Sequence, residues 1–168
     1  NNLTATDITY VNGKYGKEMS FNGVSSYARP ATNGLLTNGG TLAFRIAFNH
    51  FSDNPVMGWP QYNTAYISVS SSTNIKVKCS DVTHNFAIPP MTVGVYCFFV
   101  IMFNKAENKI DLYKDGVFIK SDSETSFSLL CYIDHVIGAA DLTGETTVEF
   151  FNGIISHFRY DSRIWTAD

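Results

Sequence analysis

Side chains able to do chemistry are thinly spread along this chain, and their spacing decides what each could do. Hydrolysis of a glycosidic bond needs two carboxyl groups about 5 Å apart for retention of configuration, or roughly 6.5 to 9.5 Å for inversion. Glu145 and Glu149 would share one face of a strand at a separation of about 13 Å, too far for either geometry. Asp122 and Glu124 fall in the Ser-rich stretch from Ser121 to Ser126, and Glu107 is followed by Asn. His50, His84, His135 and His157 are scattered and none sits in a nucleophile motif, so they read as surface or sheet-edge histidines. Cys79, Cys97 and Cys131 have neither CxxC spacing nor a His pattern that would suit zinc; they read as thiols, with Cys79 and Cys97 small core residues on strands. No catalytic residue and no metal ligand is assigned, and the chain is expected not to be an enzyme.

One segment has chemistry of another kind. From Asp53 to Asn63, Trp59 and Tyr62 stand among turn residues, bounded by Pro55 and Pro60, where the alternation of a core strand is absent. An aromatic plate suits the flat face of a sugar ring, and neighbouring amides such as Asn63 can bond its hydroxyls. The other use of Trp59 is to fold back onto the core beneath a long loop. Asp81 and His84 mark a second candidate binding loop, and the expected ligand-binding set is Trp59, Tyr62, Asn63, Asp81 and His84.

The elements that would position these residues are strands. Leu42, Phe44, Ile46 and Phe48 alternate with Thr41, Ala43, Arg45 and Ala47, the period of a half-buried strand with one wet face. Similar alternation recurs over Ala65–Val69, Asn74–Cys79 and Ile154–Tyr160. Tyr96–Phe103 is apolar on both faces and needs cover on both sides. Five Asn-Gly pairs, at 12, 22, 33, 38 and 152, and Asp115-Gly116 supply the positive φ that tight turns require. No helical stripe with caps appears, so any helix is expected to be a single turn, near Ser162–Trp165. Many short strands without crossover helices predict an all-β fold, an antiparallel two-sheet jelly-roll sandwich, with Phe44, Ile46, Phe99, Ile101, Leu112 and Phe158 in one core.

Length and composition bound the rest. The 168 residues suit a single domain, 1–168, that buries roughly 70% of its unfolded surface. With 45% apolar and 16% charged residues, disorder is excluded, because there is ample apolar surface to bury. A net charge of −3 without a Lys or Arg cluster argues against nucleic acid as a partner. Val95–Phe103, the longest apolar run, is less than half the roughly 20 residues of a membrane-spanning helix, so membrane insertion is not expected. The chain opens on Asn1 without a basic-then-apolar leader, which favours a piece of a larger protein that could carry further domains.

Read in order, the segments resemble the laminin G-like branch of the concanavalin A-like lectin and glucanase superfamily. Met19–Tyr27, with Phe21-Asn22-Gly23, is similar to the opening strand and turn of that family, and Thr41–Ile46 to its next strand. Gly94–Val100 stands at its Trp-His segment, here Tyr96-Cys97, and Lys109–Gly116 resembles its Leu-Tyr-Val-Asp-Gly hairpin. Val136-Ile137-Gly138, Phe150–Ile155 and Phe158–Asp161 resemble its ending. The carboxylate strand of the superfamily's glycosidases is missing. The resemblance implies a calcium ion at the sandwich rim, for which Asp53, Asn54, Asp81 and Asp141 are the loop oxygens on offer, although no continuous ligand motif marks them. It also implies a non-catalytic carbohydrate-binding, lectin-like module on an extracellular or virion-surface protein, with a glycan or glycoprotein as partner. The alternative is a structural or adhesive protein-interaction domain of a virion or phage appendage.

Overall fold

The computed structural model of the chain describes residues 3–14, 16–30, 39–52, 54–58, 66–79, 82–125, 127, 136–139 and 149–166. These form fourteen strands: β1 (Leu3–Thr6), β2 (Thr9–Gly13), β3 (Gly16–Asn22), β4 (Tyr27–Pro30), β5 (Gly40–Phe48), β6 (Asn54–Gly58), β7 (Tyr66–Ser71), β8 (Asn74–Cys79), β9 (Val82–Ala87), β10 (Cys97–Asn104), β11 (Lys109–Lys114), β12 (Val117–Ser123), β13 (Val136–Ile137) and β14 (Asn152–Asp161). One seven-stranded sheet runs β1-β4-β13-β6-β7-β8-β9; the other runs β12-β11-β10-β5-β14-β3-β2. Neighbouring strands are antiparallel, and the two sheets make the expected jelly-roll sandwich. Among the described residues no helix is long and apolar enough to cross a membrane.

The inner faces close over one core. Phe44, Ile46, Phe99, Ile101 and Leu112 are buried in it with Val56, Ile67, Val77 and Phe86 of the opposite sheet, as alternation and the apolar run of β10 require. Phe158 packs against this core half-buried, its ring stacked on Phe44 at 6.2 Å. Cys79 and Cys97 are buried free thiols on β8 and β10, as expected for small core residues; Cys131 lies outside the described residues.

Four expectations are corrected. First, the outer side of β5 is mostly covered: Thr41, Ala43 and Ala47 are buried there and Arg45 is only 21% exposed, as suits the central strand of its sheet. Second, Asn54–Gly58 is not loop but a fully buried strand; Pro55 pairs with Ser68 of β7 next to a register shift that skips Val56, and the neighbour on the other side, β13, reaches only Met57 and Gly58. Third, Ser162–Trp165 forms a bend instead of a helical turn. The Arg163 N–H is taken by the Asp161 carboxylate and the Trp165 N–H by Thr41 Oγ1, so neither feeds a helical ladder. Fourth, alternation along β14 breaks after Ser156, where a bulge puts His157 and Phe158 opposite Phe44, with His157 at a positive φ of 52°.

Candidate functional site

The outer face of the second sheet holds the arrangement best suited to chemistry. Outward positions on adjacent strands are Arg45 opposite Phe98 and Ser156, and Ala43 opposite Val100 and Arg159. The bulge in β14 adds His157 to this row, because the extra residue turns its side chain outward. Beyond Asp161 the chain bends back over the sheet and lays down Trp165. Ala43, Arg45, Phe98, His157, Arg159 and Trp165 then line an open depression of about 360 Å³.

Trp165 is fixed from two sides. Its backbone N–H donates to Thr41 Oγ1 at 3.1 Å, and that hydroxyl donates to the Arg163 carbonyl at 2.7 Å. Its indole Nε1–H donates to Asp161 at 3.2 Å, and the Arg159 guanidinium lies 5.3 Å from the ring centroid, a cation–π distance. Asp161 also accepts from the backbone N–H, Nε and NH2 of Arg163 and from Arg159. The Arg163 bonds above all hold its carboxyl far below the ordinary carboxylate range. The indole is therefore a half-exposed plate whose polar edge is already satisfied.

On the other side of the depression a second cluster is sealed. Arg45 donates to Glu18 at 3.2 Å and to Ser156 at 3.5 Å, and its guanidinium stacks 3.6 Å from the centroid of Tyr96. Tyr96 in turn donates its phenol to Glu18. Burial, and then the bond to Glu18, push the Tyr96 phenol up to about 12. Glu18, only 2% exposed, is thus enclosed between Arg45 and a tyrosine lid.

The structure brings the sequence-predicted residues together only in part. Trp59, Tyr62, Asn63 and Asp81 lie outside the described residues, as do Asp53, Asp141, His135 and Glu145. His84 is on strand β9, not in a loop, and is a buried inward residue and not a surface one. Its Nε2 is 2.8 Å from Glu124, and its Nδ1 is 3.7 Å from Asp122, so it bridges the facing edges of the two sheets. Asn54 has no free edge for a rim cation. Fully buried, it donates to the His50 and Asn152 carbonyls and accepts from the Asn152 N–H at 2.9 Å, lacing β6 to β14. Among the described residues, no three His, Cys, Asp or Glu side chains gather where they could hold a metal ion.

Trp165, Arg159, His157 and Phe98 were not singled out by sequence. The signal was there: Asp161, Arg163 and Trp165 are spaced two apart from the last residue of a strand onward, so one carboxylate can organise both followers. The bulge that aims His157 has no such mark.

No family model matches the chain, and no curated protein matches it. Solved structures do. Domain 4 of AbnA, an extracellular arabinanase from Geobacillus stearothermophilus solved with arabinotriose, superposes with a TM-score of 0.75 at 15% identity, over 99% of this chain and 84% of that one. A heptameric SAP-like pentraxin from Limulus polyphemus gives 0.73 at 14% identity, over 89% and 77%. The receptor-binding domain of botulinum neurotoxin C/D mosaic serotype gives 0.74 at 14% identity, over 99% of this chain but 44% of that domain, so the chain spans less than half its length. At such identities the likeness is one of fold, and the fold shared is the jelly-roll sandwich.

Proposed function

We propose that this domain is a non-catalytic, lectin-like carbohydrate-binding module of laminin G-like type, serving a larger extracellular protein, and that it binds sugar on the outer face of the β5–β10–β14 sheet. The observation that carries this reading is the immobilised, half-exposed Trp165 at an open depression with Phe98, Arg159 and His157 around it. An indole fixed before binding offers its ring without an ordering cost, and the C–H face of a pyranose or furanose fits against it while guanidinium and imidazole N–H groups reach the hydroxyls. The arabinanase domain solved with arabinotriose and the toxin receptor-binding domain lend the reading support by analogy of fold.

The test is a glycan array followed by titration of the best binder. Trp165→Ala is expected to weaken binding at least about tenfold while its urea midpoint stays well above that of a core Phe→Ala variant, which costs about 3–5 kcal/mol. Trp59→Ala run alongside decides between this face and the segment that the sequence favoured. Binding lost with Trp59 and kept without Trp165 would move the site. The adhesive alternative draws on one observation, the exposure of Val117 and Phe118 on edge strand β12. A domain that binds no glycan but associates through those two side chains would favour it.

A further inference from the structure

Charge on this face is unevenly presented. The two carboxylates that bond the arginines of this face are withdrawn: Glu18 is 2% exposed beneath Tyr96, and the Asp161 side chain is 9% exposed under its ring of donors; Asp115, which accepts from the Phe98 N–H, is about half exposed but is paired with Lys114 at 2.7 Å. The guanidinium groups of Arg159 and Arg163 stand out at 62% and 77% side-chain exposure. A molecule entering the depression therefore meets cationic N–H groups first, although the chain as a whole carries a net charge of −3.

Arg159 is also not required to neutralise Asp161. Arg163 gives that carboxylate three bonds, at 3.0, 3.0 and 2.8 Å, and Trp165 a fourth; Arg159 adds one long contact of 3.3 Å, which uses only part of a five-donor fork. The same guanidinium lies beside the indole, so an anion held by it would sit next to a sugar ring resting on Trp165.

Building on the reading above, we propose that the ligand is an anionic saccharide, its carboxylate or sulfate taken by Arg159 and its ring set against Trp165. A planar fork matches the oxygens of either group in bidentate fashion, and such charge-assisted bonds are roughly twice as strong as neutral ones.

The experiment titrates the full chain with three oligosaccharides, an oligogalacturonate (carboxylated), a chondroitin sulfate fragment (sulfated) and a neutral arabino-oligosaccharide, at low and at physiological salt. One or both acidic probes are expected to bind about tenfold tighter than the neutral one, more weakly as salt rises. Arg159→Gln should abolish that preference without moving the urea midpoint, and Arg159→Lys should restore it in part; Trp165→Ala should weaken every probe. Which acidic probe binds identifies the anionic group. Equal affinity for all three, or a preference that survives Arg159→Gln, overturns the anionic assignment while leaving a sugar-binding face at Trp165 intact. Failure of all three probes, together with an empty glycan array, overturns both.

Discussion

Trp165 keeps its place through Asp161, and the dependence has a sign that can be worked out. An unfolded Asp titrates near 3.9, whereas the Arg163 bonds hold the folded carboxyl well below that. The unfolded state therefore takes up the proton first, so the network's contribution is complete above about pH 4 and fades as the pH falls further. In a Trp59→Phe background, Trp165 fluorescence should stay constant from pH 7 down through the ordinary carboxylate range, where the folded carboxyl keeps its charge, and change only on stronger acidification; Asp161→Asn should show the acid spectrum already at pH 7. A spectrum independent of pH in the parent protein would separate Trp165 from Asp161. Tyr96 is the opposite case, its phenol raised, so its bond to Glu18 persists through the ordinary tyrosine range and weakens only toward pH 12. At this scale the sequence was least legible. Trp59 drew attention because it stood among turn residues, whereas Trp165 followed a strand as if in a short helical turn. Its meaning depends on Thr41, a partner 124 residues away that no local pattern announces.

The strand that matters most is β14, which carries Ser156, His157, Arg159 and Asp161 and touches both β5 and β3. Its alternation could be read from sequence; its bulge could not, since His157-Phe158 differs from ordinary strand residues only in backbone conformation. The Asn-Gly pairs show the same limit. Asp115-Gly116 does turn a hairpin, both residues at positive φ, and Asn22 caps its turn by accepting from the N–H groups of Val24, Ser25 and Ser26. Gly153, however, lies inside β14 at φ 155°, where an added Cβ would come within 2.3 Å of the Ala47 carbonyl and 2.7 Å of the Phe151 ring. Gly153→Ala should therefore destabilise the domain by about 1–3 kcal/mol in urea unfolding and weaken glycan binding in step, because β14 would shift against β5. Unchanged stability would mean that the two strands can separate without loss.

At the scale of the molecule, the sandwich and its core were the most legible feature, since burial of apolar faces imposes a period that survives in sequence. Residues such as Ile75, Val77 and Cys79 are inward because every second position of β8 must be. The core also governs its thiols. Burial pushes the Cys79 thiol far up, with Glu124 adding to the shift, and burial raises Cys97. Neither should react with iodoacetamide at pH 8 in the native protein, and both should label once it is unfolded without reductant; label missing from either under those conditions would reveal a disulfide. The central strand β5 has a different kind of consequence. It pairs with β10 on one side and with β14 on the other, where Thr41 meets Asp161. That pairing closes a loop of most of the chain, a contact of high order whose loop-closure entropy the packed sheet must offset. The depression at Trp165 straddles the seam. It therefore exists only while β5 and β14 are paired, so a ligand held there binds the closed seam alone and stabilises that pairing.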